Sequence, residues 1–213
     1  MQLAAGKRLG EVLARLALLR PVFHSEADFQ QAFAWEARAL DPSLHVRLET
    51  RPAPGVRLDL LLRSEDGTAQ TAIELKYLVR LWHGDVAGER FELKNQGAQD
   101  IRAYDVVKDI VRVEQFVANR PGSNGAVVCL TNESSYWRAS GHGRQTNADA
   151  FRLHDGTVLE GKRAWGPATG PGSSKGRETP LVLRGRYQVA WRTYSSLAGI
   201  AGEFRSLVVP VDS

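Results

Sequence analysis

Apolar side chains recur at helical spacing early in the chain, at Leu9, Val12, Leu13, Leu16 and Leu19, and Pro21 ends the run, predicting a first helix within residues 3–19. Ser25 with Asp28 three residues later is an N-terminal capping pattern. It opens a second helix whose stripe includes Phe29, Phe33 and Leu40 and which Asp41-Pro42 stops. Residues 44–51 then alternate Leu44, Val46 and Leu48 with His45, Arg47 and Glu49, the period of a half-buried strand, until Pro52 and Pro54 interrupt it. Further strands are expected over 56–63 and 71–79. Asp66-Gly67 between them reads as a two-residue hairpin turn that pairs the two antiparallel.

A polar stretch, 83–95, leads to a long helix over 98–118 with an apolar face of Ile101, Val107, Ile110, Val111 and Val117, followed by a strand over 125–131. Residues 166–180 are rich in Gly, Pro, Ser and Thr and read as a loop, and two more strands are expected at 186–193 and 204–211. Helix, three strands, helix, strand is an α/β order with at least one crossover, and 213 residues suit a single domain.

Composition narrows the class. The apolar fraction of 43% and charged fraction of 24% are ordinary for a soluble globular protein and exclude disordered, collagen-like and coiled-coil chains. Cys129 is the one cysteine and sits in the apolar run 126–130, so an internal disulfide is excluded and a buried structural thiol is expected. No stretch has the length of a membrane span, and charged residues interrupt the N-terminal apolar positions, so no membrane association and a cytoplasmic location are expected. His24, His45, His83, His142 and His154 lack metal-ligand spacing, which argues against structural zinc. The formal charge of +4 is unevenly spread: residues 138–192 hold ten Lys or Arg against four acids, which suits either a polyanionic partner or a solvated basic face.

The hairpin carries the candidate chemistry. A turn centred on Asp66-Gly67 sets Asp59 opposite Glu74, a pairing of like charges that is unfavourable unless a cation lies between them. Strand alternation puts Glu74 and Lys76 on the same face and Leu58, Leu60, Leu62, Ile73, Leu75 and Tyr77 on the other. One or two carboxylates, with water and substrate phosphate completing the shell, are what Mg²⁺ accepts. Glu36, on or beside the stripe of the second helix, either joins these acids or pairs with an arginine; Glu26 is the alternative from the same helix.

Asp59, fourteen intervening residues, then Glu74-Leu75-Lys76, set between a helix bearing Glu36 and a later helix and strand, resembles the PD-(D/E)XK, or restriction-endonuclease-like, nuclease superfamily over roughly residues 23–131. Arg57-Leu58 departs from that pattern, in which proline often precedes the aspartate. The resemblance implies a mixed sheet in the order α-β-β-β-α-β flanked by helices; residues 132–213 lie outside it and read from their own composition as a basic, loop-rich extension carrying extra strands. It implies Mg²⁺, or Mn²⁺, on Asp59, Glu74 and the carbonyl of Leu75, with Lys76 assisting the attacking water and Glu36 supporting the shell. The expected activity is phosphodiester hydrolysis, in DNA ahead of RNA and as an endonuclease ahead of an exonuclease, with a homodimer plausible by resemblance. The alternative is an inactive nuclease-fold module that binds nucleic acid, or an interaction subunit of a bacterial defence system.

Gln99 and Tyr104 are five residues apart, where exonuclease-like relatives have Gln and Tyr four apart, and are carried with Arg138 and Arg144 as candidate nucleic-acid contacts. Trp137, Trp165, Tyr187, Trp191 and Tyr194, interleaved with arginines, either stack on bases or pack in the core, and core packing is the expected role.

Overall fold

Ser25 starts the second helix as its position demands. Its Oγ accepts the backbone N–H of Asp28 at 3.1 Å, satisfying one of the donors a helix leaves free, and α2 runs Glu26–Leu40 behind α1 at Leu9–Leu19. The structure is a computed structural model that describes every residue except 5, 54, 55, 140, 142–144 and 213. The central strands are β1 (His45–Ala53), β2 (Val56–Arg63) and β3 (Gln70–Leu78). A small hairpin of β4 (Trp82–Val86) and β5 (Glu89–Leu93) comes next, then α3 (Gln99–Ala118) and β6 (Ser123–Thr131).

The remainder supplies β7 (Val158–Arg163), a single helical turn α4 (Pro171–Ser174), β8 (Leu181–Gln188), β9 (Trp191–Ser196) and β10 (Glu203–Val211). Six strands form one mixed sheet ordered β1-β2-β3-β6-β10-β9, in which β3 and β6 are parallel and the other pairs antiparallel. The parallel pair requires the crossover that α3 provides. Helices α1 and α2 cover one face of the sheet, and α3 with the β7–β8 hairpin covers the other. This is why Ala126–Leu130 of β6 is apolar at every position: it is buried on both sides.

The two cores use alternate residues of the same strands. Leu60, Leu62, Ile73, Leu75 and Tyr77 pack with Phe23, Phe29 and Phe33 under α1 and α2, while Leu61, Ala72, Val127 and Cys129 pack under α3 with Val106, Ile110 and Val113. Leu58 departs from the expected face and joins the α3 side. Cys129 is fully buried, and its thiol is pushed above the usual range by burial, as a structural cysteine should be. Trp137, Tyr187, Trp191 and Tyr194 are buried, and Trp165 stacks on Tyr104 with ring centroids 5.7 Å apart, so these aromatics pack rather than stand open for bases.

Three local expectations change. The hairpin loop spans 65–68, with Asp66 Oδ1 accepting from Thr68 N at 3.0 Å and from Ser64 Oγ, and its centre stays between Asp66 and Gly67, so the register is the expected one. The polar stretch 83–95 holds the β4–β5 hairpin, turned by Ala87 (φ 51°) and Gly88 (φ 82°), with Trp82, Phe91 and Leu93 inward. Finally, 186–193 is not a single strand. Val189 leaves the β7–β8 hairpin, where its N–H donates to Thr157 O at 2.8 Å, and Trp191 begins β9 in the main sheet. Among the described residues no helix is long and apolar enough to cross a membrane.

Candidate functional site

The β2–β3 ladder runs from Arg63↔Gln70 to Leu60↔Ile73, and at the next position the strands exchange a side-chain bond instead. Asp59 Oδ2 accepts the backbone N–H of Leu75 at 2.8 Å, which fixes this carboxylate at the opening of the sheet. Across β1, Glu49 lies between the pairs Leu48↔Leu60 and Thr50↔Leu58 and therefore faces Asp59; its φ of 53° is uncommon for a residue with a side chain, and its carboxylate pairs with Arg57. The opening is a cleft of about 370 Å³ lined by Asp59, Glu74 and Lys76 of the hairpin, Glu26 and Gln30 of α2, and a row from α3.

Tyr77 positions α2 at this opening from both ends. Its phenol donates to Phe23 O at 2.9 Å and accepts Phe23 N–H at 3.2 Å, tying down the segment before the helix, while its own N–H donates to Glu26 Oε2 at 2.9 Å. Burial raises the pKa of Glu26, opposed by Lys76 and by that hydrogen bond.

On α3, Asp105, Lys108, Asp109 and Arg112 present their side chains to the cleft, the i, i+3, i+4, i+7 spacing of one helical face. Lys76 Nζ lies 2.7 Å from Asp109 Oδ2 and 3.3 Å from Leu75 O. Arg112 Nη1 lies 2.8 Å from Asp109 Oδ1 and 3.0 Å from Glu74 Oε1. The Arg112–Glu74 approach has ion-pair distance without hydrogen-bond alignment, so both oxygens of the fully buried Glu74 lack a hydrogen-bond partner among the described residues. A buried carboxylate in that condition is costly.

The electrostatics follow from this crowding. Desolvation, reinforced by Asp109 and Asp59, pushes Glu74 up to about 9 despite Arg112. Burial alone would lower the pKa of Lys76, but Asp109 and Glu26 outweigh it and hold the ammonium above the usual lysine range. The ion pair with Asp109 thus favours the charged form of Lys76, which suits it to stabilising negative charge rather than to accepting a proton. Burial, then Asp109, raises Asp105. Formally the cleft carries six carboxyls against the four cations Arg57, Lys76, Lys108 and Arg112, a surplus of negative charge suited to a cation. Among the described residues no three His, Cys, Asp or Glu side chains converge as a metal-ligand group.

The structure thus brings Asp59, Glu74 and Lys76 together, with Leu75 between them. Glu36 is buried on α2 but pairs with Arg15 of α1, so Glu26 rather than Glu36 reaches the cleft. Tyr104 is buried against Phe151 at 5.1 Å, Gln99 is the first residue of α3, and neither lines the cleft. Arg138 is exposed, outside the cleft lining, and Arg144 lies outside the described residues. Asp105, Asp109 and Arg112 escaped the sequence reading, although their polar stripe on an otherwise apolar helix was visible there. Compared with protein-family models, with curated proteins and with solved structures, the chain matches none.

Proposed function

We propose that the chain is a divalent-cation-dependent nuclease with a restriction-endonuclease-like core, hydrolysing phosphodiester bonds, most readily in DNA. One observation carries the reading: Glu74 is a fully buried carboxylate whose charged contact is Arg112 at 3.0 Å and which has no aligned hydrogen bond among the described residues, in the same cleft as Asp59 and two residues before Lys76. Such an arrangement is unfavourable by itself and is relieved by a cation. The order α2, β1, β2, β3, α3, β6, with β4–β5 as an insertion, supports the same reading.

The donor set fits a hard divalent ion. Asp59 and Glu74 would hold Mg²⁺ or Mn²⁺ with water and substrate phosphate completing the shell, because Mg²⁺ is commonly bound through only one or two carboxylates. When bound, the ion supplies polarisation of the phosphate and a lowered pKa for an attacking water. The chain's own residues do the rest. Asp59 is held in place by Leu75 N–H, and Lys76, anchored by Asp109, holds its ammonium where negative charge develops on the phosphate oxygens. Glu26 stays beside Lys76 as a carboxyl of raised pKa able to hold a water or a proton.

The test is cleavage of supercoiled plasmid, single-stranded DNA and RNA with Mg²⁺, with Mn²⁺ and with chelator, comparing the wild type with Lys76→Ala. Metal-dependent cutting lost in the variant is expected. Absence of cutting on every substrate, with nucleic acid still bound, would instead favour a binding module.

A further inference from the structure

A positive charge already stands over Glu74. Arg112 bridges Glu74 Oε1 and Asp109 Oδ1, at 3.0 and 2.8 Å, and Asp109 holds Lys76 through its other oxygen. The four side chains form a row of alternating sign that links the two residues of the hairpin motif through α3. They differ in freedom: the side chain of Glu74 is 0% exposed, whereas that of Arg112 is 26% exposed, lines the cleft and ends a flexible stem. Glu74 is therefore held within the packed interior, while Arg112 reaches the pair from the open side of the cleft.

We propose that Arg112 is a resident counter-ion at Glu74 which a divalent cation must displace, so that this residue sets how tightly the site takes metal. This rests on the cation-binding reading of the cleft. A guanidinium within about 3 Å of a ligating oxygen repels an incoming ion and competes for the same lone pairs, and in a site screened from water neither effect is small. Arg112 keeps Asp109 as its partner on the same helix, so withdrawal from Glu74 does not leave it unpaired. In the absence of metal the same contact offsets part of the cost of burying Glu74.

The experiment is calorimetric titration of the full chain with Mn²⁺, without nucleic acid, alongside thermal melting with and without the ion. Losing Arg112 also favours a proton on Glu74, but the guanidinium repels a divalent ion about twice as strongly as a proton, so Arg112→Met and Arg112→Gln should each bind Mn²⁺ on the order of tenfold more tightly than the wild type. Both should melt lower without metal and gain more from it. Gln can still hydrogen-bond Asp109, so it serves if the Met variant does not fold. Arg57→Met removes an equal charge from the rim of the same cleft, where Arg57 pairs with Glu49, and should change affinity by less than about threefold because solvent screens it. Unchanged or weaker binding in the Arg112 variants, or equal tightening in Arg57→Met, overturns the displacement mechanism while leaving the metal site standing. A chain that binds no Mn²⁺ in any form overturns the metal site itself.

Discussion

Asp59 and Leu75 are joined by a bond from side chain to backbone, 2.8 Å from Oδ2 to N, at the point where the β2–β3 ladder ends. The carboxylate stands in for a strand carbonyl, so it is both structural and available to a ligand through its other oxygen. Asp59→Ala should remove an acceptor from a buried N–H and cost about 1–3 kcal/mol in denaturant unfolding. Asp59→Asn, which keeps an acceptor, should cost less, yet both variants should lose metal-dependent cleavage.

Lys76 separates chemistry from stability in the opposite sense. Lys76→Met keeps the apolar stem and leaves Asp109 with Arg112 as its partner, so the fold should persist. Cleavage rate should fall by on the order of 10²–10³, the usual cost of removing a group aimed at developing charge. Single-turnover rates beside a melting curve would check both halves.

Glu74 predicts the pH behaviour of the metal-free protein. Its folded value of about 9 lies above the ordinary 4.5, raised by burial and then by Asp109 and Asp59. Its contribution to stability is full below about 4.5, because folded and unfolded chains are then both protonated, and is lost as pH rises toward 9, where the unfolded chain ionises first. The slope is at most about 1.4 kcal/mol per pH unit. Chelator-treated wild type should therefore lose melting temperature between pH 5 and 9 relative to Glu74→Gln. Mn²⁺, which needs the ionised carboxylate, should stabilise the wild type more at pH 8 than at pH 5.

The two glutamates of α2 should behave differently. Glu36→Gln breaks the pair with Arg15 and should lower stability modestly without affecting cleavage, whereas Glu26→Gln should slow cleavage. A result with the roles reversed would show that the cleft is not the reacting site.

Much of this was legible in the sequence because the strongest signals were local. Ser25 and Asp28 give the start of α2, and the turn at Asp66-Gly67 fixes the register that sets Asp59 beside the Glu74-Leu75-Lys76 run. What was missed depends on neighbours distant in sequence. Glu26 and Glu36 are ten residues apart, which at 3.6 residues per turn puts them about 80° apart around the helix, so only one can face the cleft. The choice was made by Tyr77 and Arg15, which the helix itself does not encode. Asp109 and Arg112 were passed over because α3 was read for its apolar face. The β4–β5 hairpin hid behind a turn, Ala87-Gly88, that lacks the usual Asn or Asp.

The parallel pairing of β3 with β6 also governs when the site can exist. Glu74 and Val127 are partners 53 residues apart, and they meet only after α3 has been carried across the sheet. Until then the β2–β3 hairpin can form locally, with Asp59 and Glu74 in place but without Asp109 to hold Lys76 or Arg112 to offset Glu74. The cleft is thus assembled by the crossover: a chain emerging during synthesis can form its acidic hairpin before residues 99–131 exist, but the row linking Lys76, Asp109, Arg112 and Glu74 requires α3 to be in place.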